Sequence, residues 1–542
     1  MPMWTQDEGI RSVTEVRMVG HDRVGLGLVE RLAPMVAALC LVLLASVAQA
    51  GATVEQDLQR DLERAIANAG LEGMQVGVSV LDLRTGRRLA DIDADQPLIP
   101  ASNMKLLTSA SALLSLGEGF MFETRFELEG ERLIVVGSGD PGFGDPALLA
   151  DLPKPMDIDA MLDFVVDAIT QSGATTLREI VIDDRVFDRE AVHPSWPTEQ
   201  LQYYYCAEVS GLNFHLNMVN VFAYPTSMNQ PARVVIEPEA SAVEVQNTTS
   251  TVASRTSTGR PQPSSIHIRR DGEGNRLLVS GRVSRSVGAP TSLRDPAMVF
   301  GQLLAERLEL AGVVIGAPHE APADVVRRPE ARETLDGRPI LIIKTPITEV
   351  LRRCNSDSYN LHAEALFKKV GHQWTGQAGS WSMGAAAMRA VLVDAIGPNA
   401  VRSLRIADGS GMSRQNAMSA DTLCALLAHM NQLSNEPARA AFLDSLVRPG
   451  EGTLSRNFME PEDLRHEIFG KTGFLNGVRS FSGYVAPKGS DRPAVAFAIL
   501  MNGFDRGQSL RSRDLRNEMV RLIDRASASL SPGAVVVEPG TP

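Results

Sequence analysis

Lysine is scarce in this 542-residue chain. Only seven of its 53 basic residues are lysines, namely Lys105, Lys154, Lys344, Lys368, Lys369, Lys471 and Lys488. In a chain that uses arginine almost everywhere else, each lysine is informative, because a desolvated lysine can lose its proton and an arginine effectively cannot. Cysteine is as rare. Cys40, Cys206, Cys354 and Cys424 match no zinc-ligand spacing. The last three read as buried small side chains with room for one disulfide. The nine histidines do not cluster. There is no His-Glu-x-x-His, no Gly-x-Ser-x-Gly elbow, no phosphate-binding Walker loop and no dinucleotide fingerprint. A zinc hydrolase and a histidine-based serine hydrolase are therefore unsupported, and neither metal nor cofactor is implied. The net charge of −12 argues against a nucleic-acid partner, which would need a basic face to displace counterions. The locally basic run 263–287 reads as solvated strand faces.

What is present suits a globular protein. Hydrophobic residues make up 44% and charged residues 22%, which is ample for a core. Residues 31–50, RLAPMVAALCLVLLASVAQA, offer a positive flank, an apolar stretch and an Ala48-Gln49-Ala50 exit, as an export signal does. The apolar run, about 16 residues, is short for a membrane span. The expectation is an exported, periplasmic protein with at most peripheral membrane contact.

Downstream the texture changes twice. Residues 55–70 have helical periodicity, 74–96 read as a hairpin around Arg84-Thr85-Gly86, and 100–117 read as a helix ending at Gly117. From about 120 to 345, short β-rich runs alternate with turn signals. Within this block 226–266 reads as an exposed, partly mobile piece and 296–314 as an amphipathic helix. After 345 helices return over 347–371, 379–397 and 419–434. Three strands follow within 467–503, then a last helix.

Three short patterns carry chemistry. Ser102 and Lys105 stand three apart at a helix start, so their side chains share a face. A neutral lysine can take the proton of a serine and make it a nucleophile. Taken alone, the pair also reads as a capped helix start. Ser358 and Asn360 flank Tyr359 before a helical run, where a hydroxyl and an amide can enter one cleft. Lys471, Thr472 and Gly473 sit on a β-rich run, where donors can hold a carboxylate and a bare glycine admits a substrate backbone. Each is weak by itself. Together, in this order, they form the signature shared by penicillin-binding proteins and class A β-lactamases.

The chain resembles the D-alanyl-D-alanine carboxypeptidase branch of the class C low-molecular-mass penicillin-binding proteins. GSGDPGF (137–143), IVIDDRVFD (180–188), YYYCAEVSGLNFHLN (203–217), DGSGMSRQN (408–416) and GVRSFSGYV (477–485) carry the likeness beyond the three motifs. The long gap between Ser102 and Ser358 matches the family's insertion. The resemblance implies an α/β fold, a transpeptidase-like domain with an antiparallel sheet and flanking helices. That domain would comprise 51–122 and 345–528, interrupted by a β-rich insertion at 123–344, with a signal peptide at 1–50 and a tail at 529–542.

By the same resemblance Ser102 is the acylated nucleophile, Lys105 its base, and Ser358 and Asn360 the proton relay. Lys471 and Thr472 bind the substrate's terminal carboxylate, Gly473 lies against its backbone, Ser102 and Phe474 supply oxyanion N–H groups, and Ser410 and Met412, on a loop beside the site, are substrate-binding candidates. The implied partners are peptidoglycan stem peptides, with β-lactams as covalent mimics. Phe474 and Tyr359 depart from the family's usual Thr and Asp. The competing readings are an esterase or weak β-lactamase on the same fold and a non-catalytic cell-wall-binding protein.

Overall fold

The computed structural model describes residues 54–316, 326–327, 335–455, 458–490 and 492–530. The expected signal peptide lies outside the described residues, as do residues 531–542. The five-stranded sheet nearest the motifs is antiparallel throughout. Its order is Glu467–Leu475, Val478–Ala486, Val495–Asn502, Gln75–Asp82, Arg88–Ile92. The strand Val495–Asn502 is buried at every position, VAFAILMN, and takes the centre, as an unbroken apolar run should. The hairpin expected at 74–96 supplies two strands and the stretch 467–503 supplies three.

Helices cover both faces of this sheet. The helix 54–68 and the helix Ser509–Ser527 pack on one face through Leu58, Leu62, Leu515 and Met519. On the other face the helix Met104–Leu116 lies within a helical core. Ten of its thirteen residues are buried, so it lacks a polar stripe and is enclosed by other helices. Gly117, at φ 82°, ends it, a left-handed position that glycine adopts at no steric cost.

The β-rich block leaves and returns side by side. The strand Met121–Glu129 departs as the strand Arg338–Pro346 arrives antiparallel to it, with Met121 opposite Pro346. These two belong to a second five-stranded sheet, completed by Arg132–Gly137, Glu179–Asp183 and Val326–Arg327. The helices Ile158–Gln171 and Pro296–Leu310 share its hydrophobic core. The stretch 226–266 contributes the strands Arg233–Glu237 and Glu244–Thr251 and the start of Ser265–Asp271. Exposed and partly exposed positions alternate along Ser265–Asp271.

One expectation needs correction. The helix expected over 347–371 is two helices, Ile347–Asn355 and Asn360–Thr375. The first closes where the Ser356 N–H bonds the Arg352 carbonyl, and Ser358 then turns to φ 66°. Cys206, Cys354 and Cys424 are free and buried, in keeping with their reading as buried small side chains.

Candidate active site

Ser102 sits in the single 3₁₀ turn Ala101–Asn103 that leads into the helix Met104–Leu116. The preceding Ala101 has φ 47°, a left-handed conformation that costs a non-glycine residue free energy. Neighbours hold it there. Gly411 lies against the Ala101 carbonyl, where a Cβ would come within 1.8 Å of the oxygen. Ser480 Oγ donates to the Pro100 carbonyl at 2.7 Å. Buried Asn103 ties the turn to the sheet: its Nδ2 donates to the Lys471 carbonyl at 2.6 Å and its Oδ1 accepts from Ser482 Oγ at 2.7 Å.

One turn on, the Lys105 ammonium is fully buried. Its Nζ donates to Ser102 Oγ at 3.2 Å, Asn360 Oδ1 at 2.6 Å and the Ser410 carbonyl at 2.9 Å. Asn360 is oriented in turn, since its Nδ2 donates to the Tyr205 carbonyl at 2.7 Å. No carboxylate forms an ion pair with Lys105 among the described residues. Burial lowers its pKa to about 8, against the weaker pull of Cys354, Glu364 and Asp408. Desolvation disfavours the ammonium, so an appreciable share of Lys105 is a neutral amine near neutral pH.

Ser358 lies between the two helices in a strained loop. Arg353, nearly buried, holds that loop to the β-rich block. Its Nε and Nη2 bond Asp145 at 2.7 and 2.9 Å, its Nη1 bonds Asp357 at 2.6 Å, and its guanidinium stacks on Tyr359 at 4.5 Å. A hollow of about 560 Å³ opens beyond this clamp, lined among others by Asp357, Tyr359 and His215. Ser102 does not line it.

The loop 408–416 is fastened from behind. Glu364, buried on the helix Asn360–Thr375, accepts from the Ser410 N–H at 2.7 Å, the Gly409 N–H at 2.9 Å and Trp381 Nε1 at 2.8 Å. Its pKa is raised to about 7 by burial first and by Asp408 second. Asp408 accepts from the Gly411 and Ser413 N–H groups and from Trp196 Nε1. This scaffold aims the Ser410 carbonyl at Lys105. The Ser410 side chain accepts from the Met412 N–H, and Met412 packs against the helical core.

Along the strand Glu467–Leu475, Gly473 comes close to the Ser102 turn, where a Cβ would lie 2.9 Å from the Ser102 nitrogen. Thr472 Oγ1 donates to Thr453 Oγ1 at 2.9 Å. The Lys471 ammonium is fully buried and donates to the Thr472 carbonyl at 3.1 Å. Burial, then Lys105, holds its pKa well below the ordinary lysine value. Phe474 is 51% exposed at the rim. A cleft of about 460 Å³ is lined by Ser102, Ser358, Thr472, Gly473, Phe474 and, further along, Arg479.

Lys105 therefore bonds both Ser102 and Asn360, while Ser358, Thr472, Gly473 and Phe474 line one cleft with Ser102. Lys471 lies beneath its surface, and Ser410 acts through its carbonyl. Sequence reasoning missed Asn103, Glu364, Asp145 and Arg353. No local motif marks them, because each gains its role from a partner distant in the chain.

Comparison with known proteins gives one pattern. Residues 58–526 match the family model described as the D-Ala-D-Ala carboxypeptidase 3 (S13) family. A D-alanyl-D-alanine carboxypeptidase of Actinomadura sp. (strain R39) is 31% identical over 505 residues, covering 88% of this chain and 86% of that one. The D-alanyl-D-alanine carboxypeptidase DacB of Haemophilus influenzae is 22% identical over 467 residues, 83% of this chain and 90% of its own. The crystal structure of penicillin binding protein 4 from Haemophilus influenzae superposes with a TM-score of 0.65 at 18% identity. It covers 86% of this chain and 99% of that one, which makes the two folds alike.

Proposed function

The chain belongs to the D-Ala-D-Ala carboxypeptidase 3 (S13) family, and from that premise we propose how its residues do the family's work. The enzyme is a serine D-alanyl-D-alanine carboxypeptidase, a peptidoglycan D,D-peptidase that binds penicillin. The observation that carries the residue assignment is the Lys105 ammonium, buried without an ion pair and in hydrogen-bond contact with both Ser102 Oγ and Asn360 Oδ1.

Neutral Lys105 takes the proton from Ser102 Oγ as the oxygen attacks the carbonyl of the penultimate D-alanine. The oxyanion forms beside the backbone N–H groups of Ser102 and Phe474, which stabilise it without reorganising. The C–N bond then breaks. The leaving amine receives a proton from Ser358 Oγ, which is resupplied from the Lys105 ammonium. Water repeats the sequence on the acyl-enzyme and releases the shortened peptide with free Ser102. Asn360 holds Lys105 in line, and Thr472, whose hydroxyl bonds Thr453 Oγ1, lines the cleft beside the substrate. Lys471, beneath the surface, supplies a potential favourable to anions. A β-lactam follows the first half and stalls as the ester on Ser102.

Phe474 at the rim offers no hydroxyl to a terminal carboxylate. The enzyme accordingly also cuts D-amino-acid cross-links, where the leaving group is larger. Export to the periplasm, where stem peptides are reached, fits the segment 31–50. None of the described helices is long and apolar enough to cross a membrane. We read 51–122 and 345–528 as the catalytic domain and 123–344 as the insertion that clamps the Ser358 loop.

Intact-mass analysis after benzylpenicillin tests the assignment. One adduct mapping to Ser102, and absent in Ser102→Ala, is expected. An adduct that survives Ser102→Ala overturns it.

A further inference from the structure

The cleft continues past Thr472 into a basic corner that the mechanism above does not use. The strand register places Arg479 opposite Phe474 on the neighbouring strand, with its guanidinium 5.0 Å from the Phe474 ring. Arg479 Nε donates to Ser512 Oγ at 3.1 Å, and its Nη2 donates to Ser509 at the carbonyl (3.1 Å) and at Oγ (3.3 Å). Arg479 has no salt bridge, and its Nη1 has no hydrogen bond, among the described residues. Arg513 lines the same cleft and pairs with Asp514, a carboxylate mostly in water. Buried Arg516, stacked on Phe458 and Phe481, closes the back.

These charges crowd one another. Burial and Arg513 bring Arg479 down to about 10, with Asp514 opposing, and burial, Arg479 and Arg513 bring Arg516 to about 9. Like charges held together in a partly desolvated corner favour an added anion. Ser509 and Leu510, the first residues of the nineteen-residue helix Ser509–Ser527, also line the cleft. The 3₁₀ turn Arg506–Gln508 runs into that helix, Asp505 caps the turn and the Ser509 N–H bonds the Arg506 carbonyl, so the arginine side chains supply the donors.

We propose that Arg479 and Arg513 form a carboxylate subsite of the Ser102 cleft, which holds the acid group of the residue whose amine leaves. The ligand is the α-carboxylate of a D-amino acid, whether free at the end of a stem peptide or at the D-centre of a cross-link. This rests on the reading of Ser102 as the nucleophile. It explains how a chain with Phe474 after Lys-Thr-Gly still selects an anionic leaving group. The cation has moved one strand inward, and the aromatic ring lies over it.

The test compares an acylated D-Ala-D-Ala peptide with its C-terminal amide on wild type, Arg479→Gln and Arg513→Gln. Wild type should prefer the free carboxylate. In each variant the ratio of kcat/KM for carboxylate over amide should fall about tenfold, through KM, as expected when a charged donor to a carboxylate is lost. Acylation by benzylpenicillin, which carries its own carboxylate, should slow in parallel. Should Arg479→Gln fail to fold, Arg513→Gln on the helix surface decides, with its melting temperature as control. A ratio retained in the folded variants, or absent in wild type, overturns the subsite. If Ser102→Ala still hydrolyses the peptide, the reading of the nucleophile fails instead, which is a separate outcome.

Discussion

Lys105 and Lys368 are both fully buried, and the helix Asn360–Thr375 serves both, yet their surroundings differ in one respect. Lys368 has a carboxylate. Its Nζ reaches Asp188 Oδ1 at 2.6 Å and the Glu190 carbonyl at 2.7 Å, and it lies 3.8 Å above the Trp381 ring. Lys105 has an amide oxygen, a peptide carbonyl and a hydroxyl. Burial lowers the pKa of both. Where Asp188 is present, the charge is balanced and the lysine joins the helix to the β-rich block. Where no carboxylate is paired, the ammonium can give up its proton, and of the three oxygens it bonds only that of Ser102 carries a proton to lose. Rarity of lysine drew attention to both residues. For these two lysines, a paired anion and a serine hydroxyl in reach are what separate a structural cation from a candidate base.

The most direct way to break this comparison is to exchange the two roles. Lys105→Arg keeps the charge and its donors but removes a titratable amine. Acylation by benzylpenicillin should fall about 10²–10⁴-fold, the range of general-base catalysis, with the melting temperature little changed. Stopped-flow fluorescence with a labelled penicillin measures it. Activity within tenfold of wild type would mean that Lys105 is not the base.

Asp145→Asn attacks the other class, charges pinned across the β-rich block. Asp145 is fully buried and bonds Arg353 twice, so removing its charge leaves a guanidinium short of one partner. A loss of about 3 kcal/mol is expected, at the lower end for a broken buried pair because Asp357 still pairs with Arg353. Urea unfolding reads it. The folded protein should also acylate more slowly, since Ser358 at φ 66° needs its loop held. Lys368→Met should cost somewhat less, about 2 kcal/mol, because Asp188 keeps 30% of its side chain in water and can resolvate. Its acylation rate per folded molecule should match wild type. A large rate loss without a stability loss would erase the distinction between the two lysines.

The sequence already showed which residues could react, less so how they are supported. Ser102, Lys105 and Asn360 lie at helix starts, where spacing alone predicts a shared face, and the terminal strands announce themselves as apolar runs. The break at 356–359 was hidden. Helical periodicity runs through it, and the turn exists because Arg353 reaches Asp145, more than two hundred residues earlier. Glu364 reads on paper as a solvated helix carboxylate. It is buried only because the loop 408–416 folds over it. Arg479 is one of many arginines until the strand register sets it beside Phe474.

The finest test of the comparison is Glu364→Gln, because Glu364 is the anion that approaches Lys105 without pairing with it. The groups around Lys105 are Glu364 and Asp408, whose negative charge raises its pKa, the Cys354 thiol, which burial keeps protonated, and buried Lys471 on the neighbouring strand. Removing one negative charge lowers the Lys105 pKa further below about 8. In the proposed mechanism acylation requires the neutral amine, so the acid limb of the pH–rate profile should move to lower pH, by about half a unit to one unit. Stability carries a second signature. The carboxyl of Glu364 titrates near 7 in the folded protein, above its ordinary value of 4.5. The unfolded chain therefore releases that proton first, and stability falls as pH rises from 4.5 to 7. In Glu364→Gln this contribution to the slope should vanish from melting curves taken across that window. If Glu364 only braces the Gly409 and Ser410 N–H groups, the rate would drop equally at every pH and the limb would stay in place. Movement of the limb would show that even an unpaired carboxylate sets how readily Lys105 gives up its proton, and so how sharply it differs from Lys368.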